Sequence, residues 1–167
     1  MKIYSYVVTH DTNLAPHIAD GYCSLAVCKP KIRKVSIVGD WIVGTGSSKT
    51  VGCNKIVYAM KTKEKLTFSE YDADERFRHR EDKLVNRYHN STQRKHDLGG
   101  KYVLISDDYY YFKQKRLPKK LHWIIKIGRA HRCNFDEDKK TQFVNWIRTQ
   151  KRGPLNFRDF DRRPSSC

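Results

Sequence analysis

The apolar residues of this chain come in short runs rich in Val, Ile and Tyr, and most of these runs are closed by Gly, Asp or Pro. Runs of that length and make-up read as strands rather than helices. KIYSYVV (2–8) alternates and predicts a strand near the start. KVSIVGDWIVGTG (34–46) predicts a strand, a turn at Gly39-Asp40 and a second strand. KIVYAMKTKEKLTF (55–68) predicts a strand leading into another apolar stretch, and KYVLISDDYYYFK (101–113) a strand, a turn at Asp107-Asp108 and an aromatic run. LHWIIKIGRAHR (121–132) predicts a strand that ends in a Gly-Arg loop. YCSLAV (22–27) fits a short strand or a helical turn, because periodicity does not separate the two.

Helical signals are fewer. TFSEYDADERFRHR (67–80) has Thr67 or Ser69 as a cap, acids in its first turn and bases in its last, matching the helix dipole. DEDKKTQFVNWIRTQKRG (136–153) starts on acids, carries Phe143, Trp146, Ile147 and Gln150 on one stripe, and stops at Gly153-Pro154. Residues 10–22 and 81–100 predict loops, the second ending in Gly99-Gly100, with three of the seven His falling within 79–96. The expected class is α+β, a strongly bent mixed sheet or small barrel with flanking helices. One domain is expected over 1–153, followed by a basic tail over 154–167.

Charge narrows the partner. The chain has 34 Lys and Arg against 18 Asp and Glu, a formal net charge of +16, and residues 101–167 alone hold seventeen bases and seven acids. Such a field draws polyanions. Ten Tyr, seven Phe and three Trp argue against disorder and supply faces on which bases stack. MKIYSYVVTHD has one basic residue and a short apolar run broken by His10 and Asp11, so no secretory leader and no membrane anchor are expected. The expected location is cytoplasmic, with the five Cys as reduced thiols.

Several chemistries compete. Cys23, Cys28, Cys53, His131 and Cys133 lack the paired knuckles of a structural zinc site, so neither a metal nor a cofactor is expected. Cys28 precedes Lys29, which would favour a thiolate, but a nucleophile also needs a base such as His10 or His131 beside it. GTGSSKTVG (44–52) lacks Walker spacing, and its amides with Ser47 and Ser48 fit an anion site or a plain connection. His10 and Asp11 follow the first strand, and His131 stands between Arg129 and Arg132, whose charge opposes its protonation. Among Trp41, Tyr58, Tyr109, Tyr110, Tyr111, Phe112 and Trp123, some must be core, since alternate strand residues face opposite ways.

Tyr4-x-Tyr6-Val7-Val8-x-x-Asp11-Thr12, then CSLAVCKPKIR (23–33), VGDWIVGTGS (38–47), VLISDDYYYF (103–112), the following Leu117-Pro118 and GRAHR (128–132) together resemble the second of the nucleotide-modification-associated domain families. The resemblance covers about residues 2–150. Its most specific pieces are Cys28-Lys29-Pro30-x-Ile32-Arg33 and Gly39-Asp40-Trp41-Ile42-x-Gly44. It implies a setting in bacterial and phage systems that handle modified nucleotides. The chain departs from the family pattern at Asn13-Leu14-Ala15-Pro16, and in having LVNRYHN (84–90) where a Gly-Asp-Asn-x-Tyr element is expected. The Gly-Asp turn is also similar to that of PUA-like and EVE-like barrels, which grip a flipped or modified base.

The expected function is therefore binding of a modified nucleotide, or of nucleic acid with a modified base. In the expected pocket Lys29, Arg33, Arg129 and Arg132 meet phosphates, Asp11 and His131 meet base or sugar edges, Trp41 or Tyr110 stacks, and His10 and Ser47 complete the wall. The rival reading is a hydrolase or glycosylase with Asp11 or His131 as acid/base. A metal-dependent nuclease ranks last, because no carboxylate cluster is visible.

Overall fold

The computed structural model describes residues 1–47, 52–83 and 91–157. Among the described residues, nine strands form two open sheets. β1 (Ile3–Val8), β4 (Trp41–Gly46), β5 (Lys55–Lys61), β8 (Tyr109–Arg116) and β9 (His131–Arg132) make the first, in the order β8-β5-β4-β1-β9. β2 (His17–Ala19), β3 (Tyr22–Leu25), β6 (Glu64–Thr67) and β7 (Tyr102–Ser106) make the second, in the order β2-β3-β7-β6. All neighbours are antiparallel except β1 and β4, which run parallel with Tyr6 opposite Gly44 and Val8 opposite Gly46. The α+β expectation holds, but neither sheet closes into a barrel.

Alternation along the strands sorts the core into layers. Tyr4, Tyr6 and Val8 of β1 meet Cys23, Leu25 and Leu104 of the second sheet, so the two sheets share one core. Ile3, Trp41, Val43 and Tyr110 point the other way, onto Phe143 and Ile147 of α4 (Glu137–Arg148) and onto Leu121 and Ile124 of a 3-10 helix at Lys119–Ile124. Beyond the second sheet, Val103 and Ile105 meet Tyr71 and Phe77 from α2 (Phe68–Ala73) and the 3-10 turn after it.

Both helix starts follow their caps. Thr67 and Glu70 form a reciprocal capping box on α2, and Asp136 accepts from the Lys139 amide at the head of α4. Three expectations are overturned. The first strand expected within 34–46, before the Gly39-Asp40 turn, does not form: Lys34 and Val35 close α1 (Pro30–Val35), where Pro30 takes the first helical turn and its missing N–H costs nothing, and Ile37 and Val38 stay exposed. Residues 121–132 give a 3-10 helix and only two strand residues, because Leu121 and Ile124 face one way at helical spacing. The loop expected over 81–100 contains α3 (Ser91–Leu98), stopped by Gly99 and Gly100. The first residues of the expected tail are docked: Tyr109 Oη donates to Pro154 O at 2.6 Å and Gly21 N to Leu155 O at 3.0 Å, with Phe157 against Tyr111.

Candidate functional site

Between β3 and α1 the chain takes two consecutive left-handed residues, Cys28 (φ 58°) and Lys29 (φ 44°). Such conformations cost non-glycine residues about 1–3 kcal/mol each and persist only where the surroundings impose them. Here they do. The Cys28 amide donates to Asp97 Oδ1 at 2.6 Å, and its carbonyl accepts from Arg33 Nε at 2.7 Å. Arg33 is wholly buried and also donates to Tyr102 O (2.9 Å) and Asp97 O (2.5 Å), with Asp97 Oδ1 at 3.8 Å. A Cβ on Gly100 would stand 2.4 Å from the guanidinium carbon, so this close packing needs glycine. One buried arginine thus ties α1, α3, β7 and the Cys28 peptide into one unit.

The turn forms one wall of an open cleft of about 610 Å³. The end of β1 and the residues after it, through His10 and Thr12, form a second wall, and Thr92 and His96 of α3 a third. Tyr6 lies within; its hydroxyl pairs with Tyr58 Oη at 2.8 Å, and burial above all raises both phenol pKa values. Lys29 Nζ sits 4.7 Å from the Tyr6 ring centroid and donates to Val7 O at 3.4 Å. Burial draws the Lys29 ammonium below the usual lysine pKa, and the neighbouring Cys28 partly restores it. A half-buried ammonium that makes no ion pair among the described residues favours an incoming anion.

The sequence profile of the nucleotide modification associated domain 2 family matches residues 1–86 and 79–160. The chain belongs to that family. No curated protein and no solved structure matches it. Membership associates this nucleotide-modification-associated domain with nucleotide or DNA modification.

Within this family member, the cleft gathers only part of the expected pocket. His10 and Lys29 line it. Arg33 does not reach a phosphate: it lies beneath the wall, its donors committed to backbone carbonyls. Trp41 and Tyr110 are buried against Phe143 and each other on the far face of the first sheet, so neither stacks on a ligand. Asp11 follows His10 but accepts from Tyr111 Oη at 2.5 Å. His131 stands in β9 against the Tyr4 ring; burial first, then Lys31, lowers its pKa, so the expected resistance to protonation holds for a different reason. Ser47 lines a second hollow, Arg129 is exposed in the loop beyond it, and Arg132 lies over the Phe135 ring. Ser48 falls outside the described residues.

His96 and Tyr6 were missed. The signal for His96 was Gly99-Gly100, which closes a helix as readily as it marks a loop. Among the described residues no group of three or more His, Cys, Asp or Glu is placed to hold a metal ion, and Cys23, Cys28, Cys53 and Cys133 are free thiols. No helix among them is long and apolar enough to cross a membrane.

Proposed function

We propose that the cleft at the end of β1 binds a nucleotide carrying a modified base. The carrying observation is the half-buried Lys29 ammonium held in the wall of a cavity of about 610 Å³, a volume typical of sites for ligands of nucleotide size. Lys29 takes the phosphate, and His10, Thr12 and His96 face the base and sugar edges. The carboxyl end of β1 opens into this cleft. The long-range charge of the chain raises the encounter rate with such an anion.

Calorimetric titration with deoxynucleoside monophosphates bearing plain and substituted bases tests this. Lys29→Ala is expected to weaken binding roughly 10- to 100-fold, the effect of a charge-assisted hydrogen bond of about 1.5–3 kcal/mol. Affinity is expected to fall as salt rises from 50 to 200 mM. Unchanged affinity in the variant, together with a flat salt response, rejects Lys29 as the phosphate contact.

A second reading, an enzyme acting on the bound nucleotide, is favoured by Cys28. Its side chain is exposed in the cleft that His10 and His96 also line, and both of its peptide groups are clamped by buried charged residues. That arrangement places a thiol and two imidazoles in the lining of one cleft, where an imidazole brought to the thiol would take its proton. Mass spectrometry of the nucleotide after prolonged incubation decides. Turnover that disappears in Cys28→Ser while binding is retained makes the protein an enzyme; intact nucleotide throughout keeps it a binder.

A further inference from the structure

A second, smaller hollow of about 320 Å³ lies at the same end of β1. Val7 lines both hollows. Its neighbours Tyr6 and Val8 join the core between the sheets, so the Val7 side chain projects to the opposite face. A single strand therefore separates the two hollows. The smaller one is walled by Ser47 at the end of β4, Asn54 before β5, and the loop through Lys126, Ile127 and Gly128. Its polar groups are an amine, a hydroxyl and a carboxamide, the set that grips a phosphodiester without reading sequence. Lys126 Nζ donates to the Ile127 carbonyl, a contact that an anion replaces readily. Ile127 itself is 86 % exposed, offering an apolar surface to a sugar or base at the rim.

We propose that the ligand is a single nucleic-acid strand lying across the end of β1. Its modified base occupies the larger cleft, and the adjoining phosphodiester rests in the smaller hollow on Lys126 and Ser47. The inference rests on the nucleotide reading above and goes further by naming a polymer. A free mononucleotide carries one phosphate. Two hollows that share Val7 and each present a lysine match a chain with a phosphate on either side of the nucleotide. Arg129, exposed and next in the chain to Gly128 of the smaller hollow, adds a further positive charge beside it.

The test compares a fluorescein-labelled oligothymidylate, by anisotropy, with thymidine monophosphate, by calorimetry. The oligonucleotide is expected to bind at least about 10-fold tighter. Lys126→Ala, in a loop outside the core, is expected to lower oligonucleotide affinity about 10-fold and reduce the salt slope by about one, leaving the mononucleotide unaffected. Lys29→Ala is expected to weaken both. An oligomer of ribothymidine, which differs from the oligothymidylate only in its 2′-hydroxyl, supports the strand if it binds as well or better, and tighter binding assigns ribose as its sugar. Equal affinity for polymer and monomer, or an oligonucleotide indifferent to Lys126→Ala, overturns the strand while leaving the nucleotide site standing. Failure of all three probes, and of their counterparts carrying a substituted base, to bind removes both.

Discussion

Arg33→Ala is expected to destabilise the protein by about 3–5 kcal/mol, because it removes one partner of a buried ion pair and leaves the other charged. For a chain of this size that is a fall in melting temperature of about 6–20 °C. The guanidinium is wholly buried and donates to Cys28 O, Tyr102 O and Asp97 O. Its removal takes a donor from three carbonyls and the guanidinium charge from the Asp97 carboxylate, and opens a void beside Gly100. The same change is expected to release Cys28 and Lys29 from their left-handed conformation, so nucleotide affinity should fall at temperatures where the variant is still folded. Lysine in its place cannot fork to three carbonyls and is expected to recover little. A melting curve indistinguishable from that of the parent would show that the turn is held by something else. Asp97→Ala should be far from additive with Arg33→Ala, since the two residues act on one peptide unit.

Arg33 also shows where sequence reasoning stops. The sequence singles out its segment, Cys28 to Arg33, for phosphate, and the structure buries the arginine beneath the turn. A run of bases says phosphate until a partner is known, and the partner, Asp97, is 64 residues away on a helix that looked like loop. Only Gly100, where any Cβ would strike the guanidinium, records the burial in the sequence, and its reason is invisible there. Trp41 and Tyr110 fail for a related cause. The strands β1, β4, β5, β7 and β8 were legible from alternation and turn residues. Alternation tells which residues share a face, but not that both faces of the first sheet are covered. With α4 on one side and the second sheet on the other, every aromatic in the run Tyr109 to Tyr111 is buried. The cleft lies where strands end, so its residues come from loops whose mutual placement no local pattern encodes. His10 and Lys29, which line the cleft, could be singled out because one lies just past a readable strand and the other precedes a proline.

Asp82→Ala is expected to cost about as much as Arg33→Ala, and its companion variants separate charge from packing. Asp82 is fully buried; it accepts from Ser24 Oγ and from Tyr71 Oη at 2.8 Å, and faces Arg80 Nε at 3.6 Å. Burial, and then the Asp82 charge, raise the Tyr71 pKa, so that phenol keeps its proton and donates. Arg80, itself buried, binds Ala19 O at 2.8 Å, His17 O at 3.0 Å and Ser24 Oγ at 2.9 Å. The pair therefore locks β2 and β3 to the segment after α2, and β3 leads directly to the Cys28 turn. Removing the carboxylate alone leaves the guanidinium buried without its counter-charge, which accounts for about 3–5 kcal/mol. Replacing both, as Arg80→Met with Asp82→Leu, removes both charges and fills much of the space. The double variant is expected to be less destabilised than the sum of the singles by about 0.5–3 kcal/mol, read from urea denaturation of all four proteins. Strict additivity would mean that the two side chains do not sense each other. The favourable coupling would mean that the wall of the cleft is anchored, through β3, by a buried ion pair whose two members are tolerated only together.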